Sequence, residues 1–294
     1  MMTVIATYSS LGLAAKIAKV LADDVVLIEE KVFPDGERYV RVPQRLSGDI
    51  VLVHSTHPPQ DSRIIELLLT IDALKGAGAE RLIVVVPYLA YARQDKRFME
   101  GEPISIGVLL RSIEVAGADV FVTVDIHRPG SLDEWLRIPH LNVLPVAQLA
   151  EYFRDRLREP LVLAPDKGAL HRARIAAQIL GADYDYLEKR RDRITGEVKV
   201  LPKSLNVKER DVLIIDDIVS TGGTLARAAE SIVAVGGSRV YAACTHALLV
   251  SGALDRVYQA GIEEIVATDT VPSPVSRVSV AEPVARALME LLSQ

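Results

Sequence analysis

Apolar residues recur along this chain in two alternating patterns. Leu13, Ile17, Val20 and Leu21 fall at helical spacing, and Val108, Leu109 and Ile113 do the same behind Pro103, which can open a helix. Between such stretches stand short uninterrupted apolar runs, Arg81-Leu82-Ile83-Val84-Val85-Val86 and Val120-Phe121-Val122-Thr123-Val124 among them. Runs of that length, rich in β-branched residues, suit strands buried on both faces of a sheet. A glycine precedes each strand by a few residues (Gly78, Gly117, Gly181, Gly237, Gly261), where a left-handed turn can close the preceding helix. Helix and strand therefore alternate, which predicts an α/β fold with mainly parallel sheets flanked by helices. The segment Leu141-Asn142-Val143-Leu144-Pro145 reads as a last strand or linker before a mixed-charge helix over residues 146–158. This predicts two domains of similar architecture, 1–145 and 146–294, with the final helix free to pack back on the first.

Composition narrows the function classes. The chain has 294 residues, 49% hydrophobic and 25% charged, which suits two globular cores and argues against disorder. A formal net charge of −5 disfavours a nucleic-acid binder, so any phosphate site must be local. No apolar run approaches the roughly 20 residues of a spanning helix, and no cleavable leader is evident, so the expectation is a cytoplasmic protein without membrane contact. The single cysteine, Cys244, lies in a strand-like run and reads as core.

In open parallel sheets ligands gather beyond the carboxyl ends of the strands. The most informative such place is Val212-Leu213-Ile214-Ile215, read as a buried strand, followed by Asp216-Asp217 and then Ser220-Thr221-Gly222-Gly223-Thr224 leading into a helix near Leu225. Glycines let backbone N–H groups turn toward an anion, hydroxyls add donors and the helix N-terminus favours negative charge. The two carboxylates can accept hydrogen bonds from vicinal sugar hydroxyls, so the segment predicts a site for a ribose carrying a 5-phosphate. Asp166, after Leu161-Val162-Leu163-Ala164-Pro165, suits Mg2+ or an N-cap, and the two roles are compatible. Neither a P-loop nor a dinucleotide-binding glycine fingerprint is present.

Residues 212–224 resemble the signature of the phosphoribosyltransferase fold. Three further segments, Phe33-Pro34-Asp35-Gly36-Glu37, Tyr91-Ala92-Arg93-Gln94-Asp95-Lys96 and Asp125-Ile126-His127, resemble those of the ribose-phosphate pyrophosphokinases, archaeal members in particular. The resemblance implies two phosphoribosyltransferase-type domains and transfer of the β,γ-diphosphate of ATP to the anomeric hydroxyl of ribose 5-phosphate. It assigns Phe33, Asp35, Gly36, Glu37, Arg93 and Gln94 to ATP, His127 and Asp166 to Mg2+, and Asp216, Asp217, Ser220, Thr221, Gly222, Gly223 and Thr224 to ribose 5-phosphate. Lys189 and Arg191 match the family's catalytic loop, Arg191 also on the ribose 5-phosphate side. A homo-oligomer built on dimers is implied as well. From the local sequence alone, residues 33–37 read equally as a turn between strands, the charged stretch 93–96 as a solvated loop, and 189–193 as a hairpin tip. A base phosphoribosyltransferase and a non-catalytic homologue are the alternatives. The stretches after Lys96 and His127 lack the lysine- and serine-rich and glutamine-rich features of phosphate-activated, ADP-inhibited members.

Overall fold

The computed structural model describes residues 2–191, 198–202 and 207–292, and of residues 189–191 and 198–202 it describes the backbone only. The chain divides into two compact units, Met1–Leu144 together with Val280–Gln294, and Pro145–Ser279.

The first unit contains β1 (Met2–Ala6), α1 (Leu11–Leu21), β2 (Val25–Leu27), β3 (Glu29–Val32), β4 (Arg38–Arg41), β5 (Asp49–Val53), α2 (Gln60–Ala77), β6 (Arg81–Val86), α3 (Ser105–Ala116), β7 (Val120–Val124), α4 (Gly130–Trp135) and β8 (His140–Val143). Six strands form one sheet in the order β2-β1-β5-β6-β7-β8, all parallel. The period-2 alternation of each strand splits its side chains between two cores. Ile50, Leu52, Leu82, Val84 and Phe121 pack against α2 and α3. Val51, Val53, Ile83, Val120 and Val122 face α1 and a helix from the far end of the chain, α9 (Ala281–Leu292). The stripe of α1 is narrower than its spacing predicts. Leu13 and Ile17 are buried, but Val20 is exposed, because Leu21 takes the inward position one turn past Ile17 and left-handed Ala22 then ends the helix. Outside the main sheet, β3 and β4 pair as an antiparallel hairpin.

The second unit contains α5 (Val146–Phe153), β9 (Leu161–Ala164), α6 (Leu170–Leu180), β10 (Asp183–Arg191), β11 (Val198–Pro202), β12 (Asp211–Val219), α7 (Gly223–Ala234), β13 (Arg239–Ala247), α8 (Ala253–Gln259), β14 (Ile262–Thr268) and β15 (Ser276–Val278). Its sheet runs β11-β10-β9-β12-β13-β14-β15 and is parallel except where β10 pairs with β11. Leu161, Leu163, Val212, Ile214 and Cys244 pack on α7 and α8, while Val162, Leu213, Ile215 and Tyr241 pack on α5 and α6. Each fully buried Leu or Ile in such a core contributes about 1.5–3 kcal/mol.

Setting the hairpins aside, both sheets place their successive strands in the same spatial order, second-first-third-fourth-fifth-sixth. In both, an antiparallel excursion lies between the second and third strands. The duplication is thus one of topology, carried by periodicity and not by residue identity.

Four boundaries differ from expectation, one being the helix read over residues 146–158, which ends at Phe153. The strand read as residues 212–215 continues to Val219, so Asp216 and Asp217 lie within it, held by pairing of Asp216 with Cys244 and Ile218 with His246. The helix after it begins at Gly223, two residues earlier than expected. Finally, Gly236, not Gly237, takes the left-handed turn after α7. Gly237 is small for packing, since a Cβ there would sit 2.6 Å from Ile232 Cγ2.

Candidate functional site

In the second unit, chemistry collects at the carboxyl edge of the sheet. Asp216 and Asp217 follow the buried apolar run of β12 and interact with each other. Asp217 is buried with its Oδ2 3.9 Å from Nη2 of Arg172, a buried arginine on α6. Asp216 Oδ1 accepts a hydrogen bond from the Asp217 N–H at 2.9 Å. Burial, reinforced by the charge and hydrogen bonding of Asp217, pushes the Asp216 carboxyl well above the usual carboxylate range. Beyond them Ser220, Thr221 and left-handed Gly222 turn the chain into α7, whose first turn no side chain caps. Among the described residues this helix start offers its backbone donors to a ligand.

Asp166 stands just past β9, exposed, with Oδ1 accepting from the N–H groups of Gly168 (2.8 Å) and Ala169 (3.2 Å). These two bonds fix the carboxylate's orientation in a turn ahead of α6, but the helix cap expected of Asp166 is not formed: the N-cap position falls to Ala169 and no side chain caps it. Deeper in the same edge, His246 Nδ1 lies 2.8 Å from Thr270 Oγ1, and Thr268 and Thr270 both donate to the Thr245 carbonyl. This threonine-histidine lattice ties β13 to β14. Lys189, Arg190 and Arg191 lie on β10, opposite Val200, Lys199 and Val198 of β11, so the basic run begins inside a paired strand. The side chains of Lys189 and Arg191, like all of Arg193, lie outside the described residues.

In the first unit Phe33, Pro34, Asp35, Gly36 and Glu37 form the turn of the β3–β4 hairpin. Phe33 N–H donates to the Glu37 carbonyl (2.8 Å), Gly36 N–H to the Phe33 carbonyl (2.9 Å) and Glu37 N–H to Asp35 Oδ1 (3.2 Å). Phe33 is partly exposed, edge-on to Tyr39 with Lys31 Nζ 4.6 Å from its ring centre. The hairpin is fastened to α2 by Arg38, which donates to Ser62 Oγ (2.7 Å) and pairs with the fully buried Glu66 at 3.2 Å. Glu66 also accepts from Arg63 at 2.8 Å and lies 3.9 Å from His54. Burial lowers the His54 pKa to about 3, and its ring nitrogens meet Thr7 Oγ1 and the Arg63 carbonyl.

Arg93 and Gln94 follow β6 in a turn opened by Tyr91, whose φ of +63° is unusual for a bulky residue. The Tyr91 hydroxyl donates to Asp61 Oδ1 at 2.5 Å, and Gln94 is held by Ser105. His127 lies exposed just past β7, behind buried, left-handed Asp125. Sequence reasoning missed Arg172 and the Arg38–Glu66 anchor. Arg172 had left a trace, a cation one turn from Ala169 and Ala176 on the apolar side of a helix, whereas Glu66 showed only an ordinary i,i+3 spacing from Arg63, its partner Arg38 being remote in sequence.

The two units match two families separately: residues 2–117 match the N-terminal domain of ribose phosphate pyrophosphokinase, and residues 145–276 match the phosphoribosyl transferase domain. The chain is 44% identical over 293 residues to the ribose-phosphate pyrophosphokinase of Methanopyrus kandleri, covering 99% of each. It is 45% identical to that of Thermococcus kodakarensis over 87% of this chain and 90% of the other. The crystal structure of phosphoribosylpyrophosphate synthetase from Mycobacterium smegmatis superposes with a TM-score of 0.88 at 28% identity, covering 99% of both chains. Sequence, topology and these likenesses agree from end to end, and the chain belongs to the ribose-phosphate pyrophosphokinase family.

Proposed function

We propose that the chain transfers the β,γ-diphosphate of ATP to the anomeric hydroxyl of ribose 5-phosphate, forming phosphoribosyl diphosphate and AMP. The observation that carries this reading is the edge of β12, where paired carboxylates stand directly before a glycine-turned loop at an uncapped helix start. Asp216 and Asp217 would accept from the ribose hydroxyls, and Ser220, Thr221, Gly222, Gly223 and Thr224 would hold the 5-phosphate. Arg172 would orient Asp217. On the nucleotide side, Phe33 would stack on adenine, Asp35 and Glu37 would accept from its amino group, and Arg93 and Gln94 would contact the phosphates.

Mg2+ usually retains waters and takes one or two carboxylates plus substrate phosphates. Among the described residues no three His, Cys, Asp or Glu side chains gather into a metal cage. The turn-fixed carboxylate of Asp166 fits such a partner, and His127 would serve at the phosphates it carries. When bound, Mg2+ would neutralise phosphate charge. Lys189 and Arg191 would meet the charge that develops on the transferring group, since phosphoryl transfer depends on positioning and on cations. No helix among the described residues is long and apolar enough to cross a membrane. A cytoplasmic setting and a homo-oligomer built on dimers complete the proposal, the latter tested by measuring mass in solution. The decisive experiment is incubation with Mg2+, ATP and ribose 5-phosphate. One AMP per phosphoribosyl diphosphate is expected, and ADP as the product would overturn the reading.

A further inference from the structure

Three consecutive carbonyls at the end of β12 are all bound by one segment. Val219 O accepts from the N–H groups of Leu248 (2.9 Å) and Leu249 (3.2 Å), and Ser220 O accepts from Val250 N–H (3.0 Å). Thr221 O accepts from Arg256 Nη1, while Nη2 of the same guanidinium donates to Ser251 O at 3.4 Å. In a trans peptide the carbonyl and the following N–H point in opposite directions. Binding these carbonyls on one side therefore aims the N–H groups of Ser220, Thr221 and Gly222 to the other. Among the described residues none of those three N–H groups has a hydrogen-bond partner. The segment itself is sharply turned, with φ of +48° at Leu249, +56° at Ser251 and +70° at Gly252. Behind it α8 lies directly under the loop, since a Cβ on Gly222 would meet Val257 Cγ2 at 3.0 Å and Ala253 O at 3.1 Å.

We propose that residues 248–252 and Arg256 form a strap that presets the phosphate loop, with Arg256 a positioning residue for ribose 5-phosphate that acts through the Thr221 carbonyl. A loop with its carbonyls already secured binds an anion without reorganising, and the gain appears as affinity for that ligand alone. The inference rests on the reading that this loop receives the 5-phosphate.

The test is steady-state kinetics of Arg256→Ala, Arg256→Gln and Arg256→Lys beside the double variant Asp216→Asn/Asp217→Asn. Loss of a charge-assisted hydrogen bond should raise KM for ribose 5-phosphate roughly tenfold in Arg256→Ala, with kcat and KM for ATP within about threefold of the parent. Arg256→Lys, which keeps a donor, should recover most of the affinity, and Arg256→Gln should fall between. The ratio of variant to parent KM should persist at about 0.5 M salt, where a mere long-range attraction would be screened away. Equal increases for both substrates, a fall in thermal stability with unchanged KM, or an effect that vanishes in salt would each overturn the strap. If the aspartate variant shifts the ribose 5-phosphate requirement and Arg256→Ala does not, the strap alone fails. If the aspartate variant leaves that requirement unchanged, the ribose site itself is wrongly placed.

Discussion

The two sheets share one strand order, so the connection after the third strand can be compared directly between them. In the first unit it is residues 54–59, in the second residues 220–222. The first is filled by the protein's own groups. His54 is spent on Thr7 and Arg63, Thr56 Oγ1 donates to the Tyr88 carbonyl, and Ser55 N–H donates to Ser10 Oγ. Two prolines precede α2 and Asp61 sits in its first turn, so the helix start carries an anion already. The second loop has glycine where the first has proline, a first helical turn without acids, and carbonyls secured from behind. Equivalent topology thus leaves a helix start free of acids, with glycine in place of proline, only in the second unit, which is what the proposed phosphate site needs. The hairpins contrast likewise: β3–β4 is bolted down through Arg38 and the buried Glu66, and it offers an aromatic and two acids, whereas β10–β11 carries cations.

The sharpest way to break this contrast is to strip the cations. Lys189→Ala and Arg191→Ala should each lower turnover about 100-fold or more, the cost of losing one preorganised donor, with smaller changes in apparent ATP affinity. Arg190→Ala, on the alternate face of the strand, should matter less. Near-normal turnover in the first two variants would return the run to surface charge. Next in size, Asp216→Asn with Asp217→Asn should raise KM for ribose 5-phosphate by roughly 10- to 100-fold, far more than KM for ATP. A uniform change would remove the sugar assignment. Phe33→Ala should raise KM for ATP by about 3- to 10-fold, the order of one aromatic stacking contact, and leave ribose 5-phosphate unaffected, with Phe33→Tyr close to the parent.

The smallest effect concerns the filled loop. His54 is packed among Arg38, Arg63, Glu66 and His57, and burial holds its pKa at about 3, against an ordinary histidine value of 6.5. Between those values the unfolded chain binds the extra proton, so stability present above about pH 6.5 is lost progressively as pH falls toward 3. His54→Gln should flatten that limb of the curve of melting temperature against pH, leaving activity at neutral pH little changed. An unaltered acid limb would remove His54 as its source.

Much of this is readable from the sequence because it rests on local chemistry. The β-branched runs name the strands, and Asp216 through Thr224 carry both the acids and the glycine turn within nine consecutive positions. What escapes depends on distant partners. Pairing with β13 extends β12 through the acids, although carboxylates are poor strand formers. Glu66 looks like one more charge one helical turn from Arg63, and only the fold buries it and brings Arg38 to it. Arg256 reads as one of many surface arginines until the Thr221 carbonyl supplies its purpose.

The course of α9 has a consequence for biosynthesis. Val280, Val284, Ala285 and Leu288 complete the core that α1 shares with β1, β5, β6 and β7, yet they are translated after the whole second unit. On the ribosome, the second unit can close while the earlier sheet still shows water one apolar face. A nascent chain halted before Val280 should therefore bind hydrophobic-surface dyes and chaperones through its oldest segment, and release them once the helix emerges.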